Sequence, residues 1–376
     1  MAPASVITIN LARPLPRAVL ALGGETKSTL CCAAGSTAWI STPLADLGAV
    51  SDYDEYQRRV CEWPRELGIV PAVLAHDLHP EYISTKTAAR ADVWPNARRV
   101  AVQHHHAHIA ACAAAEGVWD ECWGIACDGT GLGDDGTLWG GEILRGSITA
   151  GFTRVARMRP MPLIGGAAAI REPWRIALAL ARAAPCAFDK PADVADEAWR
   201  VAQALYDTTT PRPLLSSSVG RLFDGVAAML GLCTHAAHEA QAAMALEHCA
   251  ADAPSDPRYE LPCTRAADGV IEFDWRPMLR AISAAHYAGE QLPHLAARFH
   301  DSVAGALAEF CAACAGSPRS AVCGGGVFFN KRFTRTIGAT LARHGAQGVM
   351  PRRLPPSDAG ISLGQAVLAA ARPQAG

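Results

Sequence analysis

Two stretches of the chain share one pattern, in which apolar runs are separated by small or polar residues. In each stretch an apolar run leads into a glycine-containing turn and a second apolar run follows, which predicts a β-hairpin. The first stretch continues past Gly35 into a third predicted strand. The predicted strands are residues 18–22, 28–33, 37–41, 122–127 and 137–145. Two similar hairpins in one chain indicate a duplicated lobe.

Apolar positions at helical spacing occupy much of the remaining chain. Gly117 follows one such stretch as a C-terminal cap, and Pro173 stands where the first turn of a helix tolerates proline. The predicted helices are residues 54–67, 109–116, 171–183, 192–206, 220–230, 239–251, 295–315 and 361–371. Helices mixed with hairpins predict an α/β fold with mixed sheets.

The length of 376 residues is large for one hydrophobic core, so we expect two lobes. Residues 1–17 contain prolines and are expected to form an irregular lead-in. We expect residues 18–150 to form the first lobe and residues 151–376 the second, with the final helix free to pack back on the first.

The turns of both hairpins lack bulky side chains, so their backbone N–H groups can approach an anion closely. The first turn contains Gly23-Gly24 and Lys27, and the second contains Asp128-Gly129-Thr130-Gly131. A third glycine cluster lies at residues 324–326. Together they predict a nucleotide-binding cleft between the two lobes.

Four histidines occur within five positions at His104-His105-His106-Ala107-His108, directly after an apolar run. If a helix begins here, His104 and His108 lie one turn apart on one face, a spacing with which two imidazoles can hold one metal ion. Asp128 or Asp358 could supply a carboxylate ligand. The alternative is a polar helix start whose histidines are satisfied by hydrogen bonds.

Composition narrows the class of protein. Half of the residues are hydrophobic and 19% are charged, as in a folded globular protein, and the net charge of −2 predicts no nucleic-acid partner. Because no apolar run reaches membrane-spanning length and no secretory signal begins the chain, we expect a soluble, cytoplasmic protein without a membrane partner. The thirteen cysteines include one CxxC pair, Cys311 and Cys314. Because a zinc ribbon needs two such pairs, we interpret these cysteines as small residues on a helix face.

Several motifs, taken in order, resemble the Kae1-like transferase domain of the HypF carbamoyltransferases of [NiFe]-hydrogenase maturation. The resemblance runs from about residue 18 to the C-terminus. The motifs are Val-Gln-His-His-His-Ala-His (102–108), Asp-Gly-Thr-Gly (128–131), Leu-Trp-Gly-Gly-Glu (138–142), Ile-Arg-Glu-Pro-Trp-Arg (170–175), Gly-Arg-Leu-Phe-Asp (220–224), Gly-Gly-Val-Phe (325–328) with Asn330, and Pro-Pro-Ser-Asp (355–358).

The resemblance implies the actin-like ATPase (ASKHA) fold, with two duplicated lobes around a nucleotide and metal cleft. It also implies a reaction in which carbamoyl phosphate and ATP give a carbamoyl-adenylate. The carbamoyl group then passes to the C-terminal cysteine of a HypE-type partner, where dehydration yields the cyanide ligand. The implied cofactors are ATP or the carbamoyl-adenylate and one divalent metal, with iron or zinc ahead of manganese.

The resemblance also implies roles for particular residues. The implied metal ligands are His104, His108, Asp128 and Asp358. The implied nucleotide or substrate contacts are Asp128, Gly129, Thr130, Gly131, Asp224, Glu239, Gly325, Gly326 and Asn330. The alternatives are an exposed helix carboxylate for Asp224 and a loop or cap amide for Asn330. Lys27, at the first hairpin turn, could contact a phosphate or could be an ordinary exposed turn lysine.

The remaining candidate site residues are arginines and histidines. For each of them a purely structural role is the alternative to a role in catalysis or binding. Arg171 and Arg175 lie one helical turn apart and could clamp a phosphate or carbamate, or simply form surface ion pairs. His105 is a candidate catalytic group that could contact the substrate or support the metal ligands. His76 and His79 are interpreted as structural or as lying at the edge of the site.

The sequence departs from the family in two ways. Full-length members carry acylphosphatase-like, zinc-finger and YrdC-like parts before this domain, so we expect a short form that either receives carbamoyl-adenylate or makes it unaided. Within the motifs, the usual residues are replaced by Ala167, His238, Ala240, Phe329, Ser357 and Ala359. These changes leave the implied metal ligands intact and bear on contacts to the nucleotide or the acceptor.

Three functions therefore compete. The first is the hydrogenase-maturation carbamoyltransferase, and the second is an O-carbamoyltransferase that acts on a small-molecule hydroxyl. The third is a nucleotide-binding scaffold without catalysis, against which the retention of all four metal-ligand candidates argues.

Overall fold

Two mixed β-sheets follow one another along the chain in the computed structural model, which describes residues 6–208, 214–255, 258–313 and 318–373. The first sheet has the strand order β3-β1-β5-β6, with an antiparallel β1–β3 pair and parallel β1–β5 and β5–β6 pairs. A separate short ladder joins β2 to β4. The strands are β1 Ile7–Ala21, β2 Thr26–Ser28, β3 Cys31–Ile40, β4 Leu44–Asp46, β5 Val73–Asp77 and β6 Arg98–Val102.

Strand β1 corrects the prediction of an irregular lead-in, which is wrong for residues 7–17. Pro14 and Pro16 are tolerated because the β1–β3 register shifts on both sides of Leu15, so the ladder does not need their missing N–H groups. The strands predicted at residues 28–33 and 37–41 are parts of one strand, β3. Gly35 takes a φ of 53° opposite Leu15 and forms an irregularity within that strand rather than a break.

Nine strands of the described residues form the second sheet. Its main path is β12-β13-β9-β8-β7-β14-β15, and β11 pairs with both β8 and β10. The strands are β7 Cys122–Leu132, β8 Leu138–Ser147, β9 Gly151–Met158, β10 Met161–Leu163, β11 Leu214–Ser216, β12 Cys263–Arg265, β13 Ile271–Phe273, β14 Ser320–Gly324 and β15 Gln347–Val349.

The predicted second hairpin is confirmed as the antiparallel pair β7–β8. However, Asp128-Gly129-Thr130 is not its turn, because β7 continues to Leu132 and the register shifts between Cys127 and Gly131. The segment is a bulge that turns its residues out of the ladder. The predicted lobe boundary at residue 150 falls between β8 and β9, which are hydrogen-bonded neighbours, whereas the change of sheet lies between Val102 and Cys122.

Every predicted helix has a counterpart, with ends that differ by a few residues; the predicted end at residue 315 lies outside the described residues. Helices α2, α4, α9 and α11 were not predicted. The helices are α1 Val50–Glu66, α2 Ile83–Ala89, α3 His104–Glu116, α4 Ala168–Arg171, α5 Pro173–Ala183, α6 Asp196–Asp207, α7 Val219–Met229, α8 Gln241–Cys249, α9 Arg276–Tyr287, α10 Leu292–Ala313, α11 Lys331–Arg343 and α12 Ile361–Ala371. Within the described ranges, none has the length and apolar character needed to cross a bilayer.

Helices α3 and α12 join the two sheets through one apolar cluster that includes Val19 of β1, Ala126 of β7 and Val322 of β14. The final helix packs back on the first sheet, where Gly23 N donates to Gln365 Oε1 (2.8 Å) and Gln365 Nε2 donates to Gly23 O (3.1 Å). The two helices approach closely because both are built largely from small residues.

We expect Gly364→Ala to lower the free energy of unfolding by about 1–3 kcal/mol, the usual effect of overpacking a tight contact. A Cβ at Gly364 would lie 1.8 Å from Ala107 O, so α12 must move away from α3. Gly338→Ala is the matched control, since its Cβ would meet only Met350 Cε at 3.7 Å and alanine favours the helix by up to ~1 kcal/mol. Urea unfolding measures the free energy of unfolding of both variants. Equal stability of the two variants would contradict the close contact between α3 and α12 at Gly364.

Candidate metal and nucleotide site

Four side chains from three parts of the chain meet between the two sheets. His104, His108, Asp128 and Asp358 each place one potential ligand atom within 4.8 Å of the others, and we call this group the His/Asp cluster. The imidazoles come from the first turns of α3, Asp128 from the bulge of β7, and Asp358 from the turn that precedes α12.

Local structure explains how the two histidines reach the site. Strand β6 ends at Val102, and Gln103 caps α3 by accepting a hydrogen bond from His106 N at 2.9 Å. The helix therefore begins at His104, five residues before the predicted start at residue 109. This meets the condition under which His104 and His108 lie one turn apart on one face. Gly117 ends the helix in the left-handed conformation, as predicted.

Glycines bring the backbone against the carboxylates of the cluster. Gly326 N donates to Asp128 Oδ1 at 2.9 Å. Gly325 has a φ of 103°, and a Cβ there would lie 2.2 Å from Cys127 O, so only glycine fits. Gly24 of the first turn lies against Asp358. All three small-residue segments that the sequence singled out thus converge on this site.

The cluster pairs two buried imidazoles with the buried Asp128 and the partly exposed Asp358. The Nε2 atoms of His104 and His108 both lie 3.4 Å from Asp128 Oδ2, and 3.7 and 3.5 Å from Asp358 Oδ1. Burial lowers the pKa of each imidazole, but the facing carboxylates outweigh it and raise both pKa values above the usual one. Burial likewise opposes ionisation of Asp128, yet the imidazoles hold its pKa well below the usual value.

The donor set fits a divalent metal. Both Nε2 atoms are buried without a hydrogen bond, which is costly unless another group engages them. Two imidazoles and two carboxylates suit zinc, iron or manganese, and two carboxylate charges balance a divalent ion. A metal that accepts more than four ligands would keep positions open for a substrate.

Asp77 is a candidate site residue that the sequence analysis missed. Its Oδ2 accepts from His104 Nδ1 at 2.9 Å, and both side chains are 1% exposed. This bond places the proton of a neutral imidazole on Nδ1 and leaves the Nε2 lone pair directed at the cluster. The signal was present in the His-Asp-Leu-His segment, of which only His76 and His79 were considered. Those two histidines are not members of the cluster, and His79 stacks on Tyr82.

A cavity of about 270 Å³ reaches the cluster through Asp128 and Asp358, which both line it. The other lining residues that the sequence predicted are Lys27, Gly129, Asp224, Glu239, Gly326 and Asn330. Thr130, Gly131 and Gly325 adjoin it without lining it; a Cβ at Gly131 would lie 2.7 Å from the rings of His104 and His105.

Arg221 lines the cavity and was not among the predicted residues. It forms a buried ion pair with Asp224, with Arg221 Nη2 2.9 Å from Asp224 Oδ2. Burial raises the pKa of Asp224, and Arg221 partly offsets this effect. The i,i+3 spacing of the two residues in α7 was the sequence signal for the pair.

Asn330 has a structural role beside its place in the cavity wall. Its Oδ1 caps α11 by accepting from Phe333 N at 2.9 Å, and its Nδ2 lies 3.0 Å from His300 Nε2. The amide is therefore held at both ends, and its orientation toward the cavity is fixed.

The three predicted catalytic residues do not line the cavity. Arg175 pairs with Glu172 and stacks on Trp174, while Arg171 is exposed at the end of α4. The structure thus brings neither arginine to the cleft. His105 is buried beside His104, where its Nδ1 lies 3.2 Å from Gln103 Nε2 and burial lowers its pKa well below the usual value.

Comparisons with known proteins show the family of this chain. Residues 15–115 match the HypF Kae1-like domain, and residues 124–365 match the second subdomain of the carbamoyltransferase Kae1-like domain. The crystal structure of full-length HypF in its phosphate- and nucleotide-bound form is similar, with a TM-score of 0.87 and 32% identity over 96% of this chain and 47% of that one. HypF of T. kodakarensis gives a TM-score of 0.85 and 26% identity over 97% and 49% of the two chains.

Two relatives come from Cupriavidus necator. Carbamoyltransferase HypF2 is 37% identical over 97% of this chain and 48% of its own length. A carbamoyltransferase HypF homolog is 38% identical over 95% of this chain and 92% of its own length. The chain thus spans about half the length of HypF2 and of both HypF structures, but most of the HypF homolog.

Fold and site together define a Kae1-like domain with the actin-like ATPase fold, as the sequence resemblance implied. The chain belongs to the HypF carbamoyltransferase family.

We expect His108→Ala to reduce the affinity for a divalent metal by at least about 100-fold, because it removes a direct ligand, whereas loss of an outer partner costs 10–100-fold. His106→Gln is the matched control on the same helix, since His106 faces Trp139 and Phe152. Elemental analysis of purified, folded protein measures retained metal. Full metal content in His108→Ala would refute the ligand assignment.

We expect Asp77→Asn to weaken metal binding by about 10- to 100-fold while the fold persists, because asparagine keeps the shape but removes the charge that supports His104. Competition with a chromophoric chelator measures the affinity, and circular dichroism checks folding. Unchanged affinity would assign the Asp77–His104 bond to packing alone.

Proposed function

We propose that this protein is a carbamoyltransferase of [NiFe]-hydrogenase maturation. In this proposal the cleft holds a carbamoyl-adenylate and passes its carbamoyl group to the C-terminal cysteine of a HypE-type partner. The adenylate forms when carbamoyl phosphate is hydrolysed to carbamate and phosphate and the carbamate oxygen then displaces pyrophosphate from ATP. The observation that carries the proposal is the buried His/Asp cluster at the end of a cavity, within a chain of the HypF family.

His104, His108, Asp128 and Asp358 would hold the divalent metal, with iron or zinc as the first candidates. When bound, such a metal supplies neutralisation of phosphate charge and polarisation of the carbamoyl carbonyl. Asp77 orients His104, and Gly326 N fixes one oxygen of Asp128, so both ligands are held in place before a substrate arrives.

The other lining residues suit the nucleotide. Asp224 is better suited to ribose hydroxyls than to phosphate, because a carboxylate repels an anion. The bulge at Gly129 and the N-terminus of α7 lie against each other, since a Cβ at Gly220 would lie 3.0 Å from Gly129 Cα. Backbone can therefore approach a bound phosphate or sugar closely on this side.

The transfer step is nucleophilic acyl substitution. The sulfur of the partner cysteine, as the thiolate, bonds to the carbamoyl carbon while the bond from that carbon to the adenylate oxygen breaks. The products are an S-carbamoyl cysteine and AMP, and the electron pair of the broken bond leaves with the phosphate oxygen. His105 is proposed to support the metal ligands, because it is buried beside His104 and does not line the cavity. A phosphate clamp by Arg171 and Arg175 would require a rearrangement of the cleft.

We expect mass spectrometry of the partner's C-terminal peptide to show the gain of one carbamoyl group only when protein, metal, ATP and carbamoyl phosphate are all present. A second arm supplies carbamoyl-adenylate directly and tests whether the protein makes this intermediate itself. His108→Ala should lower transfer by at least about 100-fold, as removal of electrostatic stabilisation does in other enzymes, while His106→Gln should retain it.

The outcomes separate the competing functions. Carbamoylation of a small-molecule hydroxyl instead of the partner thiol would indicate an O-carbamoyltransferase. Nucleotide binding without transfer in either arm, by metal-loaded protein, would refute the transferase and leave the scaffold.

A further inference from the structure

The charges around the cavity are unevenly divided. Among the described residues that line it, carboxylates outnumber cations five to two. The carboxylates are Asp128, Asp224, Glu239, Glu247 and Asp358, and the cations are Lys27 and Arg221. A phosphate-bearing ligand therefore finds few side-chain cations in this cavity, and the availability of each one matters.

Both cations are already paired, but in different ways. Arg221 is 5% exposed, and removing it from Asp224 would leave a buried carboxylate without compensation. Its Nη2 makes this ion pair, while its Nε and Nη1 are buried without a hydrogen-bond partner. Lys27 Nζ lies 2.7 Å from Glu239 Oε2, and these side chains are 43% and 69% exposed. Such an exposed pair is weak and exchanges partners easily.

The Lys27–Glu239 pair crosses the cleft. Lys27 belongs to β2, in the part of the chain that forms the first sheet, whereas Glu239 precedes α8 on the far side of the cavity. Lys27 has a φ of 50° and Ala240, next to Glu239, has a φ of 60°. They are two of only three non-glycine residues with positive φ in the described chain, and such strained conformations concentrate at ligand and switch sites.

We infer that Lys27 is the exposed side-chain cation of this cleft that contacts a phosphate, and that Glu239 holds its ammonium in a releasable ion pair until a phosphate-bearing ligand takes the place of the carboxylate. This inference rests on the proposed function in so far as the ligand is a nucleoside phosphate. Glu239 thereby lowers the preference of the cleft for phosphate esters over the uncharged nucleoside, because only a phosphate has to compete with it for Lys27.

Isothermal titration of metal-loaded protein with ADP and with adenosine tests the exchange. The readout is the affinity for ADP divided by the affinity for adenosine. Effects on contacts to the base or the ribose cancel in this ratio. Lys27→Gln should lower this ratio about tenfold, the lower end for a hydrogen bond to a charged group. Glu239→Gln should raise it about two- to fivefold, because Lys27 is released from a weak exposed pair.

Two further variants complete the test. In the double variant Lys27→Gln/Glu239→Gln, the ratio should equal that of Lys27→Gln, since Glu239 acts only through the lysine. Glu81→Gln is the matched control: it removes the same charge from the exposed Lys86–Glu81 pair, outside the cavity, and should leave the ratio unchanged.

An unchanged or lowered ratio in Glu239→Gln, or an unchanged ratio in Lys27→Gln, would overturn the exchange while leaving nucleotide binding intact. Failure of the wild type to bind either ADP or adenosine would instead count against the proposed function itself, and the exchange would fall with it.

Discussion

The burial of α3 between the two sheets is the constraint on which this structure depends. The helix starts where β6 ends, contacts the first sheet and α12 on one side, and contacts β7 and β14 on the other. Its small residues permit this position, because a side chain at Gly364 of α12 would meet the backbone of Ala107 and separate the helices. Since His104 and His108 belong to its first turns, the packing that joins the halves of the molecule also places two imidazoles where the halves meet.

That position makes the electrostatics of the site collective. An imidazole or carboxylate at this depth would be destabilising alone, yet His104 is bounded by Asp77, Asp128 and Asp358, and each of the latter two faces both imidazoles. The same arrangement that retains protons on the imidazoles presents a balanced donor set to a divalent cation. The same residues therefore determine both the stability of the contact between the two sheets and the chemistry of the site.

The parts of the site that the sequence predicted correctly are those that depend only on residues close together in the chain. The i,i+4 histidines, the glycine cap at Gly117 and the glycine clusters each require only neighbouring residues. The wrong predictions concern features that depend on how strands pair. The sequence analysis divided β3 into two strands at Gly35, and it interpreted the bulge at Asp128 as a turn. In both cases strand register decides between an irregularity and a chain reversal, and register is set by the partner strand.

The sequence by itself determined the chemistry of this protein: two histidines at helical spacing, two aspartates and glycine-rich segments that match the HypF family. Only the tertiary structure decided which side chains share the cleft. It joined Asp77 to His104 and Lys27 to Glu239 across long separations in the chain, and it left Arg171 and Arg175 outside the cavity despite their family motif. The physical reason is that a motif fixes side-chain type and local spacing, whereas proximity across the fold depends on how sheets and helices pack.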